Sequence, residues 1–224
     1  GFEQSTNAYS YYGFTPFTSA LLDVKYVISD KMLEDMERYT LADYKEDQNK
    51  YLYRVNYCLP LGFMLPEGFE DNLSLDGNNP FSIQNQFAEL ATGITDMFTY
   101  LSASTSGKTV TIDVDEESDV YVYVTTYVDS ISYSAYNDEN GFVGSDSFSG
   151  LEHRQIVHLG KMPAGTSITV NTSDNDASTL QLYAYNFHQD RFEEIYQKLE
   201  AQSLNVEKYD DNSVTADIDA EQDG

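Results

Sequence analysis

Tyrosines and carboxylates are the residues from which this chain could build chemistry: it holds 19 Tyr and 38 Asp+Glu in 224 residues, with three His and one Cys. Tyr121, Tyr123 and Tyr127 fall along one β-branched run, and Tyr183 and Tyr185 along another. On strands, side chains two residues apart share a face, so each set can present a row of rings. Such rings stack on the CH faces of sugars, while nearby carboxylates accept sugar hydroxyl hydrogens. Tyr9, Tyr11 and Tyr12 form a third set. The alternative is that half of each set fills the core and the rest decorates a sheet.

The acids point to hard cations. Asp113 and Asp115 open an acidic run that continues to Asp119, and Asp174-Asn175-Asp176 is a second oxygen-rich stretch. Alternating carboxylates suit Ca2+ or Mg2+, although the Gly and distal Glu of an EF-hand loop are missing. The same residues also make ordinary acidic hairpin turns. No other cofactor is implied. His153 and His158 are five apart, on opposite faces if on one strand, which is poor zinc geometry. Cys58 has no disulfide partner and reads as a small buried apolar residue.

Other chemistries are excluded or left undecided. No Gly-x-Ser-x-Gly elbow or dinucleotide fingerprint occurs. Ser106-Gly107-Lys108-Thr109 has the end of a phosphate loop, but Ser102 stands where its first Gly belongs. Two acids able to flank a glycosidic bond exist in any chain this acidic, so their presence decides nothing. Twelve Lys+Arg leave a formal charge of −26. That excludes ordinary nucleic-acid binding, which needs a cationic face, and disfavours wholesale adsorption to anionic lipid.

The elements that must position these residues are mainly strands. Thr109–Val114 and Val120–Val128 alternate, and further strands are expected at Gln155–Leu159, Ser167–Asn171 and Thr179–Asn186. Turn clusters at Asn137–Gly141, Pro163–Gly165 and Ser173–Asp176 divide them. The predicted fold is α+β and mainly β: an antiparallel, jelly-roll-like sandwich over 101–188. A mixed α+β lobe over 1–100 precedes it, and a helix with a terminal strand follows over 189–224. In the first lobe, Leu21–Ser29 and Tyr51–Tyr57 read as strands, and Met32, Leu33, Met36 and Tyr39 have weak helical spacing. Asn79-Pro80-Phe81 opens a helix ending near Gly93. Asp190 and Glu193 form a capping box ahead of the stripe Phe192, Ile195, Tyr196 and Leu199. The stretch from Asn205 onward holds seven acids and one lysine and reads as an edge strand lacking its partner. The start, without Met or a leader-like region, and this end suggest a piece of a longer chain.

Several segments, taken in order, resemble the YfhO family of large bacterial membrane proteins. Thr18–Ser29, with Leu21-Leu22-Asp23-Val24-Lys25-Tyr26, is similar to that family's "LL-x-VKY" segment. Tyr53–Phe63 is similar to its Tyr-x-x-Asn-x-x-Leu-Pro-x-Gly/Ala-Phe, and Asn79–Asn85 to its Asn-Pro-Phe-x-x-Gln-Asn. Phe192 to Leu199 is like the helix near that domain's end.

The resemblance implies a polytopic parent like the lipid-sugar-dependent membrane glycosyltransferases, which adds sugar to cell-wall polymer such as lipoteichoic acid. This chain is then expected to be a soluble accessory domain on the extracytoplasmic face of the bacterial membrane. It carries no catalytic residue, because the family's catalytic acid is expected between early membrane helices. Its implied partners are the parent's transmembrane region and a cell-wall glycopolymer or lipid-linked sugar. The competing readings are a surface carbohydrate-binding or adhesion module and a purely structural lobe. An exposed apolar patch would favour the lobe.

Overall fold

The computed structural model describes residues 2–5, 8–33, 35–60, 62–77, 79–210 and 213–217, with side chains between Tyr12 and Leu204 and at Thr215. In chain order come strands β1 (Phe2–Ser5) and β2 (Ala8–Tyr11), helix α1 (Pro16–Leu21), and strands β3 (Tyr26–Ser29), β4 (Tyr39–Lys45) and β5 (Lys50–Val55). Helices α2 (Phe69–Asn72) and α3 (Pro80–Thr92) follow. Strands β6 (Phe98–Leu101), β7 (Ala103–Ser106), β8 (Thr109–Val114), β9 (Ser118–Val124) and β10 (Ser130–Asn137) come next. The chain continues through β11 (Gly141–Ser149), β12 (Gln155–Met162), β13 (Thr166–Asn171) and β14 (Leu182–Phe187) to α4 (Gln189–Ala201), β15 (Asn205–Asp210) and β16 (Ser213–Asp217).

Two compact units interleave along the sequence. Unit 1 is Gly1–Phe14, Ser74–Asn85 and Thr95–Arg191; unit 2 is Thr15–Leu73, Gln86–Ile94 and Phe192–Gly224.

Unit 1 is an antiparallel sandwich. A five-stranded sheet runs β11-β10-β13-β8-β7, and a four-stranded sheet runs β12-β9-β14-β6. Val110, Ile112, Ile168 and Val170 face inward from the first sheet, and Val120, Val122, Val124 and Ala184 from the second, all fully buried in one core. The two-residue alternation of β-branched residues selects this arrangement: a half-buried strand needs one apolar face and no more. A bulge in β12 resets the alternation. Val157 and Leu159 point inward, the register then shifts between His158 and Gly160, and Met162 becomes the next core residue. Gly160 takes φ +102° there, a conformation side-chain-bearing residues rarely adopt.

Unit 2 holds the sheet β3-β5-β4 and most of α4, whose Phe192, Ile195 and Leu199 are buried as the stripe predicts. Four expectations are corrected here. Leu21 is not in a strand but ends α1, because Thr15 and Thr18 form a reciprocal capping box with Pro16 at the first helical position. Met32, Leu33 and Met36 lie outside any helix, and Tyr39 opens β4, where it meets Tyr53 edge-to-face at 6.4 Å. The strand at Val214 and Ala216 has its partner within the chain, pairing as β16 with β15; Ile218 lies outside the described residues. Asp190 is the second residue of α4, one or two positions inside the expected cap.

Candidate functional site

The outer face of the four-stranded sheet gathers four of the tyrosines singled out above; the side chains of Tyr9 and Tyr11 lie outside the described residues. On β9, Val120, Val122 and Val124 face the core, so Tyr121 and Tyr123 face outward. The antiparallel register sets Tyr121 opposite Tyr185 and Tyr123 opposite Tyr183, while Tyr185 faces Tyr100 on β6. Directly opposed aromatic side chains on one face are close enough to pack, and the rings of Tyr100 and Tyr185 meet edge-to-face at 5.7 Å.

These rings are not equally accessible. Tyr100 is 59% and Tyr183 47% exposed, and Tyr123 and Tyr185 are half-buried. Tyr121 is only 2% exposed: Phe98 and Phe187 meet it edge-on, and His158 stacks on it at 4.3 Å. Tyr121 is therefore a floor beneath the row, out of a ligand's reach. Tyr127 is exposed but lies past the end of β9, which stops at Val124, so it is not in the row. Tyr100 was missed by the sequence reading. Phe98-Thr99-Tyr100 carried the signal, two aromatics at strand spacing, just ahead of the expected sandwich boundary. At the end of the face His158 Nε2 bonds Asp119 Oδ1.

The helix α3 positions this face from its first turn. Asn79 Oδ1 accepts from the Phe81 amide at 3.0 Å, capping the helix, and its Nδ2 donates to the Tyr185 hydroxyl at 2.7 Å. Phe81 is fully buried, 4.5 Å from the Tyr185 ring and 4.8 Å from Phe98. Asn85 grips β6 twice: Nδ2 donates to the Phe98 carbonyl at 2.7 Å, and Oδ1 accepts from its amide at 2.9 Å. An amide side chain supplies both a donor and an acceptor, and here both are used.

The acids are scattered. Asp113 is exposed on β8 and accepts from Ser167 Oγ at 3.4 Å, beside the start of β13; Asp115 is exposed in the β8–β9 turn. Asp174 lies beyond the other end of β13 and accepts from the backbone amides of Asp176 at 2.9 Å and Asp129 at 3.0 Å. Those amides hold its carboxyl below the usual range. Asp176 is exposed in the same turn. The two pairs do not converge, and among the described residues no three His, Cys, Asp or Glu side chains are grouped to hold a metal ion.

Unit 2 contains an open cleft of about 400 Å3 between β3, β5 and the end of α4, lined by Asp23, Lys25, Tyr26, Arg54, Cys58 and Glu200 among others. Asp23 adopts φ +53° and accepts from Lys25 Nζ at 3.0 Å and from the Cys58 thiol at 2.9 Å. Burial, aided by the hydrogen bond to Asp23 and its charge, pushes the Cys58 thiol up to about 12. Nearby, Gly62 lies close under Leu204: a Cβ there would come within 2.6 Å of Leu204 Cδ1, so the leucine side chain would have to shift.

The profile of the family described as "Bacterial membrane protein YfhO" matches residues 1–111. Residues 1–111 belong to the YfhO family. The three N-terminal motifs lie inside this YfhO segment, and the geometry gives each a folding role: α1 and β3, the glycine corner, and the Asn79–Asn85 clamp. Tyr100 falls within the segment, while β9 and β14 lie beyond it. No curated protein matches the chain. Among solved structures, CBM32-3 from a family 31 glycoside hydrolase of Clostridium perfringens aligns over 44% of this chain and 80% of that one, at 10% identity and TM-score 0.26. A likeness that slight carries nothing about function. No helix among the described residues is long and apolar enough to cross a membrane.

Proposed function

We propose that the chain is an extracytoplasmic accessory domain of a polytopic membrane glycosyltransferase, itself not catalytic. The parent glycosylates a cell-wall polymer of the lipoteichoic acid type from a lipid-linked sugar, and this domain holds the polymer near the membrane site. Membership of a bacterial membrane-protein family supports the setting. The observation that carries the binding role is the row Tyr100, Tyr185, Tyr183 and Tyr123 on one sheet face, open at both exposed rings. The same row supports a second reading, a surface carbohydrate-binding or adhesion module. A dozen apolar spans encoded upstream would favour the first, and a lone leader with a wall anchor the second.

The test is titration of the chain with purified lipoteichoic acid and with neutral oligosaccharides, followed by calorimetry. Tyr100→Ala and Tyr183→Ala should each weaken binding about three- to tenfold, as expected for one lost ring contact. No binding to either probe, or binding unchanged in both variants, overturns the role. A charge of −26 opposes a polyanion, although screening over about 8 Å confines the repulsion to close approach. Bridging Ca2+ or Mg2+ would relieve it, so chelation should weaken polymer binding but leave neutral sugars unaffected.

A further inference from the structure

The sheet of unit 2 combines two features. The first is charge. Lys25, Lys31, Arg38, Lys45, Lys50 and Arg54 are six of the chain's twelve cations, and the same thirty residues hold seven acids. This stretch is therefore close to neutral within a chain of −26. Lys25 pairs with Asp23, Arg38 with Asp35, Lys45 with Asp43 and Lys50 with Asp30, whereas Arg54 has no acidic partner among the described residues.

The second is exposed apolar surface. Tyr26 and Ile28 lie on one face of β3, 57% and 70% exposed. Their register partners Arg54 and Leu52 lie beside them on β5. Leu22 just before the strand, and Met32 and Met36 after it, are also exposed. Isolated exposed apolar residues are ordinary, but five within fifteen consecutive residues call for a covering partner. Addition of another strand to this edge is disfavoured, because Lys25 and Lys31 flank it as edge-blocking charges do.

We propose that this face of β3 rests on the surface of a phospholipid bilayer. Tyr26 and Ile28 enter the interfacial region, and Lys31 and Arg54 reach lipid phosphates. Tyrosine suits that depth, with an apolar ring and a wet hydroxyl, and long cationic side chains snorkel to the headgroups. The charge distribution fixes the orientation. Anionic headgroups repel the acid-rich remainder of the chain and tolerate this near-neutral strip. The proposal takes only the presence of a membrane from the family and is independent of glycan binding.

The chain contains no Trp, so one introduced indole reports alone. Ile28→Trp replaces an exposed side chain, and Phe142→Trp places the same reporter at an exposed position in the sandwich. With phosphatidylcholine–phosphatidylglycerol vesicles, Ile28→Trp emission should shift to the blue and be quenched by brominated acyl chains, while Phe142→Trp should show neither. Adding Lys31→Glu and Arg54→Glu to Ile28→Trp should lower vesicle partition about tenfold or more. No quenching of Ile28→Trp overturns the proposal and leaves the face to a protein partner, and equal quenching at both positions overturns the orientation. Glycan titration of Ile28→Trp is expected to match the parent chain, so failure here is separable from failure of the tyrosine row.

Discussion

Thiol reagents should leave Cys58 nearly untouched in the folded chain. Its Sγ donates to Asp23 Oδ1 at 2.9 Å within the unit 2 cleft, and burial with that carboxylate pushes the thiol up to about 12. Only the thiolate attacks. At pH 8 a thiol of that pKa is ~1 part in 10,000 ionised, against about a quarter for an ordinary cysteine, a ~2,400-fold deficit. A more basic thiolate is intrinsically more nucleophilic, by roughly 40-fold over this interval, which leaves labelling about 60-fold slower than in the unfolded chain. The assay is the rate of colour release from an aromatic disulfide reagent at pH 8, folded against urea-unfolded, with signal from this single cysteine alone. Asp23→Asn removes the carboxylate and leaves burial in place, so its rate should fall between the two. A folded rate within about fivefold of the unfolded one would refute the reasoning. A slow rate unchanged in Asp23→Asn would remove the carboxylate from it and leave burial as the whole cause.

Two further outcomes concern the sandwich. Phe81→Ala empties a fully buried position between Phe98 and Tyr185, and should cost about 3–5 kcal/mol in urea unfolding. A cost below about 1 kcal/mol would mean that this ring does not hold α3 to the sheet. Asp174 has a depressed folded-state pKa from the amides of Asp176 and Asp129, with an ordinary value of 3.8. Its contribution is present in full above that value and is lost as pH falls through the lower, folded-state pKa. The stability gap between Asp174→Ala and the unchanged chain should therefore narrow as pH falls below the ordinary carboxylate value and through the lower folded-state one, and a gap that does not narrow on acidification would contradict the assignment.

The sandwich was legible where its strands used β-branched residues. Val110, Ile112 and Val114, or Val120, Val122 and Val124, can satisfy a half-buried sheet and little else. It was less legible at β10 and β11, where Ser130-Ile131-Ser132-Tyr133-Ser134-Ala135 and Gly141–Ser149 dilute their strand formers with Ser, Gly, Ala and Asp. Their pairing with each other and with β13 is a tertiary effect. Local capping overrode apolar content at Leu21, and sheet pairing overrode a weak helical period at Tyr39. The candidate face was half legible for a related reason. Spacing shows which rings share a side of a strand, but not whether something lies over them. Tyr121 and Tyr123 are indistinguishable in sequence, and only packing by Phe98, Phe187 and His158 separates a buried floor from a half-open ring.

The family segment and the tyrosine row meet at Asn79–Asn85. Asn79 spends one amide group on capping α3 and the other on the Tyr185 hydroxyl, and Asn85 spends both on the backbone of Phe98, two residues before Tyr100. Each amide therefore satisfies two polar groups at once, and any of these left unpaired where water cannot reach it would cost of order 1–3 kcal/mol. Aspartate at either position would lack the donor, and leucine would lack both partners. This gives the Asn-Pro-Phe-x-x-Gln-Asn spacing a physical reason: one helix turn and a half separate a group that fixes β14 from a group that fixes β6. The motif orders the two strands that carry the exposed rings, so a segment with no chemistry of its own sets the geometry on which glycan binding would depend.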